Sequence, residues 1–290
     1  MKKYSIRPIY FSVLLFLIAF VFLIEALGAK SLNYVFDFVG YGGTFANHKL
    51  KLFGMPAYWT LMISGYIWCL CISISQNARY GLKKREAPIA ATAFLAVSFL
   101  GGKILYMLEH PTGLGNLQVG GLSLFGAIFL VPPVFWLICR IAKWNSRALL
   151  DLCAHLGLVL LAIVRIGCFI SGCCGGPILW CGSNPVILPI QLFEAGLDLL
   201  LLEICLQLQN RQPRPGSMYP VLMIGYGSLR FGLEFLRKSQ KIFGAFSQSH
   251  FFALICVTGG AIALLYIIRT KNANLRKENI RQPTRKKKTS

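Results

Sequence analysis

Eight stretches of this chain, at about 9–27, 55–75, 87–108, 119–141, 149–170, 189–208, 217–236 and 251–268, each hold close to 20 mainly apolar residues. That is the length an α-helix needs to cross the hydrocarbon layer of a bilayer, roughly 30 Å at about 1.5 Å per residue. Inside lipid every backbone polar group must be satisfied within the chain, so a succession of such stretches points to a helix bundle. Composition removes the soluble alternatives. Of 290 residues, 56% are hydrophobic and only 14% charged, which leaves too little polar surface to coat a water-soluble globule. The chain carries 30 Lys and Arg against 10 Asp and Glu, a formal charge of +20. A nucleic-acid-binding protein would set such an excess on a solvated face among many other polar residues, so no nucleic-acid partner is expected. The sequence predicts an all-α polytopic membrane protein of eight transmembrane helices.

The first stretch follows Met1-Lys2-Lys3 and also has the outline of a secretory signal. However, Ala26-Leu27-Gly28-Ala29 is a mediocre cleavage site, so the segment is read as a retained helix. Orientation comes from the cations, because Lys and Arg in short loops stay on the cytoplasmic side. With Met1 inside, the cytoplasmic segments hold 21 Lys and Arg and the outer segments six, including Arg237 and Lys238. Both termini are therefore expected in the cytoplasm. The chain divides into an N-terminal helix and outer loop (1–54), a transmembrane core (55–270) and a basic cytoplasmic tail (271–290), the last read as a disordered topology anchor.

A charge inside a span is costly unless paired or hydrated, and so marks a functional candidate. Because successive helices alternate in direction, Lys103, Arg165, Glu194, Arg230 and Glu234 all fall in the outer half of their spans. Tyr58, Gly120, Gly121, Ser123 and His250 start helices at the same level. This is the pattern of a cavity open to the outer leaflet. Arg230 and Glu234 are four residues apart and share a helix face. Two guanidiniums at one depth, Arg165 and Arg230, offer planar donor forks that suit phosphate oxygens, hence an anionic lipid headgroup. Asp151, Asp198 and Glu203 fall deeper and receive no role.

Six cysteines lie within spans and read as small core residues. The other four, Cys168, Cys173, Cys174 and Cys181, fall within fourteen residues at the outer end of the fifth stretch. Disulfides in an oxidising compartment, a reactive thiol, and a zinc site that lacks a nearby His all remain open readings. No resident metal or cofactor is expected.

Six runs of sequence, in order, resemble the bacterial prolipoprotein diacylglyceryl transferases. Tyr58-Trp59 looks like the family's Tyr-Gly, and Gly101-Gly102-Lys103-Ile104-Leu105-Tyr106 is similar to its Gly-Gly-Arg-x-x-Tyr. Gly120-Gly121-Leu122-Ser123-Leu124-Phe125-Gly126 resembles Gly-Gly-Met-Ser-Phe-His-Gly. The signature region Arg165-Ile166-Gly167-Cys168-Phe169-Ile170-Ser171-Gly172 resembles Arg-x-Gly-Asn-Phe-x-Asn-Gly, followed by Pro189-Ile190-Gln191-Leu192-Phe193-Glu194 for Pro-x-Gln-Leu-Tyr-Glu. Last, the run from Gly225 to Arg237 looks like Gly-Tyr-Gly-x-x-Arg-x-x-x-Glu-Phe-x-Arg.

The resemblance implies a seven-helix core plus one added N-terminal helix, in the bacterial plasma (inner) membrane, with the active site toward the outer leaflet. It implies transfer of the diacylglyceryl group of phosphatidylglycerol to the lipobox cysteine of a prolipoprotein signal peptide, with release of glycerol phosphate. Arg165 and Arg230 would then hold the phosphate and Glu234 orient Arg230. Gly120 and Gly121 would admit the lipid, and Gln191 and Glu194 would line the pocket with Tyr58, Lys103 and Ser123. The chain departs from the family at Phe125, where the family has a histidine, at Cys168 and Ser171 in place of two asparagines, and at Cys173 in place of an acidic residue. His250 and His110 are the remaining candidates for a base. Two other functions fit the same residues: chemistry at Cys173 or Cys174 in a membrane thiol enzyme, and non-enzymatic lipid binding.

Overall fold

Apolar runs of this length do form helices. A computed structural model describes residues 51–52, 55–109, 122–170, 176–181, 184–187, 190–211, 215–237, 241–244 and 246–281. Among them are seven long helices, α1 (Ala57–Ser75), α2 (Glu86–Glu109), α3 (Leu124–Ala142), α4 (Ser146–Ile170), α5 (Ile190–Arg211), α6 (Met218–Glu234) and α7 (Gln248–Arg281). They coincide with seven of the eight apolar stretches. The stretch at 9–27, Gly120, Gly121, His110, Cys173 and Cys174 lie outside the described residues. Among the described residues, four helices are long and apolar enough to cross a membrane: Glu86–Glu109, Leu124–Ala142, Ser146–Phe169 and Gln248–Thr270. The protein's outer surface agrees, since Ile141, Ile262 and Leu108 are each more than 60% exposed, which suits contact with lipid tails rather than water.

The helix ends differ from the sequence expectation where local hydrogen bonds decide them. The fourth stretch was expected to turn helical by 119. Instead, Ser123 is extended at φ −89° and ψ 114° and α3 starts after it, because the Ser123 N–H bonds to the Gly102 carbonyl of α2 at 2.9 Å. Pro132 and Pro133 lie inside the uninterrupted helix α3.

Helix α4 is the axis of the bundle. It packs against α1, α2, α3, α5 and α6, and 83% of its span is buried inside the protein, against 33% for α2 and α3 and 17% for α7. Its apolar residues lie all round the helix, as burial on every side requires. In its N-terminal half, Tyr80 of a short 3-10 turn (Asn77–Tyr80) lies 2.9 Å from His155 Nδ1. Asp151 accepts the N–H groups of Gly216 and Met218 at 2.7 and 2.8 Å. Asp151 thus satisfies otherwise unpaired donors at the start of α6, a structural role for a charge the sequence left without one.

Helices α2 and α3 touch backbone to backbone. A Cβ placed on Gly101 would overlap the Gly126 carbonyl, and one on Gly126 would overlap that of Gly101. Small residues permit this approach, and close van der Waals packing is what associates helices when lipid supplies no hydrophobic drive.

Three antiparallel hairpins occupy loops at one end of the bundle: β1–β2 (Lys51–Leu52, Met55–Pro56), β3–β4 (Ile178–Cys181, Asn184–Ile187) and β5–β6 (Lys241–Phe243, Phe246–Ser247). They join the helix ends from which the polar residues project.

Candidate active site

Arg165 sits in the last turns of α4, and Glu194 in the first turns of α5. Arg230 and Glu234 close α6, and Arg237 follows it. Alternating helix directions bring these ends to one level, and the side chains meet there. Glu194 Oε2 lies 2.6 Å from Arg165 Nε and 2.8 Å from Arg237 Nη2, while Oε1 lies 2.5 Å from Arg230 Nη1. Arg230 uses its other terminal nitrogen on Glu234, with Nη2 to Oε2 at 2.9 Å. Arg165 and Arg230 are each 8% exposed, and Glu194 and Glu234 4% and 3%.

One carboxylate therefore holds three guanidiniums, and a second braces one of them. Burying ions is costly unless their partners are close and well aligned. Here every carboxylate oxygen of Glu194 is engaged by a charged donor, the strong class of hydrogen bond. Three cations face two carboxylates among these ion-paired groups, an excess of one positive charge before Asp198 is counted. Asp198, one turn deeper on α5, is buried and makes no ion pair among the described residues.

Of the sequence candidates, Arg165, Glu194, Arg230 and Glu234 come together directly. Gln191 is buried one turn before Glu194, on the same side of α5. Ser123 is at the same end but donates to Glu109 Oε1 at 3.0 Å, and the Lys103 ammonium lies 5.9 Å from the Tyr106 ring centroid. Tyr58 lies in the first turn of α1. Cys168 is buried, and Cys181 ends strand β3 opposite Asn184.

His250 joins the cluster through an intermediary. Ser247 Oγ donates to Glu234 Oε1 at 2.9 Å and lies 3.0 Å from His250 Nδ1, which also accepts the Ser247 N–H at 3.0 Å. Phe231, Phe235 and Phe246 surround the imidazole with ring centroids 5.0, 4.4 and 5.3 Å away. The histidine Nε2 is buried and makes no hydrogen bond with a described residue.

Three residues were given no role by the sequence reading, although Tyr226 and Arg237 both stand on motif positions of the Gly225–Arg237 run. Arg237 had been counted as an outer loop cation, yet its guanidinium turns inward to Glu194. Its spacing of seven from Arg230 puts both on one helical side, a signal that could have found it. Ser247 escaped because an isolated serine before a helix carries no signal beyond a cap. Tyr226 is buried, and its hydroxyl makes no hydrogen bond with a described residue. Its ring centroid lies 5.9 Å from that of Phe125, which packs also on Phe129 and Phe252 at 6.0 and 5.7 Å. The substituted position is thus part of an aromatic wall.

Comparison with known proteins converges on one family. A family model described as prolipoprotein diacylglyceryl transferase matches residues 47–266. A Pseudoalteromonas atlantica protein named phosphatidylglycerol-prolipoprotein diacylglyceryl transferase is 29% identical over 212 residues, 64% of this chain and 75% of the relative. Proteins of the same name from Clostridium tetani and Salmonella choleraesuis are 26% and 27% identical over 231 and 261 residues. These alignments cover 73% and 74% of this chain and 91% and 89% of the relatives.

Proposed function

The chain belongs to the prolipoprotein diacylglyceryl transferase family, and from that premise we propose that its arginine–glutamate cluster is the phosphate-holding centre of a diacylglyceryl transfer. The donor is phosphatidylglycerol and the acceptor is the lipobox cysteine of a prolipoprotein. The observation that carries this reading is Glu194, whose carboxylate gathers Arg165, Arg230 and Arg237 at one buried point.

The chemistry asks for what this point offers. The acceptor thiol gives up its proton, and its sulfur bonds to the glyceryl carbon that bears the phosphate ester. The C–O bond to phosphate breaks, and its electron pair leaves with glycerol phosphate, whose new phosphate oxygen takes up the proton the thiol gave up. Negative charge on the phosphoryl group grows as that bond breaks, so guanidiniums fixed beside it stabilise the transition state more than the ground state. Glu194 and Glu234 set the guanidiniums in place beforehand, which avoids reorganisation during the reaction. Gln191, Ser123, Lys103, Tyr58, Gly120 and Gly121 serve as the lipid-binding surround, and the Tyr226 hydroxyl, which bonds no described residue, bonds a substrate oxygen.

The proposed setting is the bacterial inner membrane, with eight helices, both termini cytoplasmic and the cluster toward the outer leaflet. The excess of cations in the alternate loops supports that orientation.

The test is incubation of the purified protein with labelled phosphatidylglycerol and a synthetic lipobox peptide. Thioether-linked lipid on the peptide cysteine, scored by mass spectrometry, is the expected result. A protein that retains phosphatidylglycerol yet never modifies the peptide would overturn transfer in favour of lipid binding.

A further inference from the structure

Ser247 and His250 together have the spacing of a capping box at the start of α7. In that motif a side chain at the third helical position reaches back to accept the N–H of the capping residue. Glutamate or glutamine is usual there; here the acceptor is His250 Nδ1, 3.0 Å from the Ser247 nitrogen. Accepting at Nδ1 assigns the ring proton of the neutral imidazole to Nε2. In an ordinary capping box the serine oxygen would turn toward its own helix. Ser247 Oγ instead crosses to α6 and donates to Glu234 Oε1 at 2.9 Å.

We propose that Ser247 is a positioning residue for the reaction, which fixes Glu234 and through it the Arg230 guanidinium, with His250 serving to hold Ser247 rather than to exchange protons with substrate. The three side chains form a single line of buried contacts. Ser247, Glu234 and His250 are each 3% exposed or less. The hydroxyl occupies one oxygen of Glu234, and the other faces Arg230 Nη2 at 2.9 Å. A glutamate whose terminal torsion is soft is thereby held in one orientation, and Arg230 is gripped from both sides by Glu194 and Glu234. Without the hydroxyl, Glu234 Oε1 loses this donor and the second anchor of Arg230 is held less firmly. The His250 ring cannot wander, because Phe231, Phe235 and Phe246 enclose it.

This inference rests on the transfer reading above, and its test separates the two. In the transfer assay, Ser247→Ala is expected to lower kcat/KM for phosphatidylglycerol on the order of tenfold, the usual scale for an outer partner of an active-site group. KM for the peptide should not change. Ser247→Thr keeps the hydroxyl and restores the rate, and His250→Gln keeps an acceptor for the Ser247 N–H and leaves the shape of the pH profile unchanged, whatever its effect on the rate.

The decisive comparison is with Glu234→Gln: if Ser247 acts through Glu234, adding Ser247→Ala to that variant costs nothing more, whereas a helix cap alone would add its own loss. Retention of phosphatidylglycerol by the same variants, read by native mass spectrometry, follows the same order and requires no acceptor. A fully active and lipid-retaining Ser247→Ala, or additive losses in the double variant, overturns the inference. So does a His250→Gln protein that loses a limb of its pH profile. Failure of the parent protein to transfer lipid at all would instead strike the proposed function, and lipid retention would still decide the role of Ser247.

Discussion

Arg165 and Glu194, 29 residues apart in sequence, meet at 2.6 Å between the end of α4 and the start of α5. Because the same carboxylate also takes Arg230 and Arg237, its removal would leave three guanidiniums facing one another in a buried site. Breaking a buried pair from one side typically costs about 3–5 kcal/mol. Glu194→Ala is therefore expected to cost at least that much, seen as a large fall in the thermal unfolding midpoint of the detergent-solubilised protein. A midpoint within a few degrees of the parent would show that water already enters the cluster.

The arginines themselves are expected to matter for chemistry more than for assembly. Arg165→Ala or Arg230→Ala should lower the transfer rate by roughly 100-fold or more, the scale seen when one donor to a developing charge is removed. The protein should remain in the membrane fraction. Arg230→Lys should recover only part of the loss, since a single ammonium cannot bridge Glu194 and Glu234 as two guanidinium nitrogens do. Normal rates in either alanine variant would remove the phosphate-holding role.

Tyr226 separates stability from activity. Its buried hydroxyl has no hydrogen bond to a described residue, so Tyr226→Phe removes an unsatisfied polar group and should leave the unfolding midpoint unchanged or raise it. The transfer rate should fall by about tenfold if that hydroxyl bonds the substrate, a loss of one net hydrogen bond. A variant that is destabilised but fully active would mean that the hydroxyl has a structural partner instead.

The α2–α3 contact is expected to tolerate no side chain. Gly126→Ala would push its methyl into the Gly101 carbonyl and the Leu105 side chain, and overpacking of this kind costs about 1–3 kcal/mol. The change should appear as a lower unfolding midpoint, accompanied by a slower rate if the shift reaches Ser123 at the mouth of α3. By contrast, Gly196→Ala meets nothing within 4 Å and serves as the control.

The sequence by itself determined the helices, because a stretch of about 20 apolar residues leaves a bilayer-embedded backbone no other way to satisfy its hydrogen bonds. It placed α2 at 87–108 against Glu86–Glu109 and α6 at 217–236 against Met218–Glu234. It also singled out Arg165, Glu194, Arg230 and Glu234, since charges in such runs are too costly to be incidental. What it could not give is which side of each helix faces inward. In water an apolar stripe marks the buried side; in lipid the outer side is apolar too, so α4 and α7 read alike although one is 83% buried and the other 17%. Only the packed bundle decided that Glu194 would be the shared carboxylate, that Arg237 would turn in from a loop, and that Ser247 would stand between His250 and Glu234. Those contacts depend on the rotation and register of α4 to α7 about their axes, which close packing sets and hydropathy does not record.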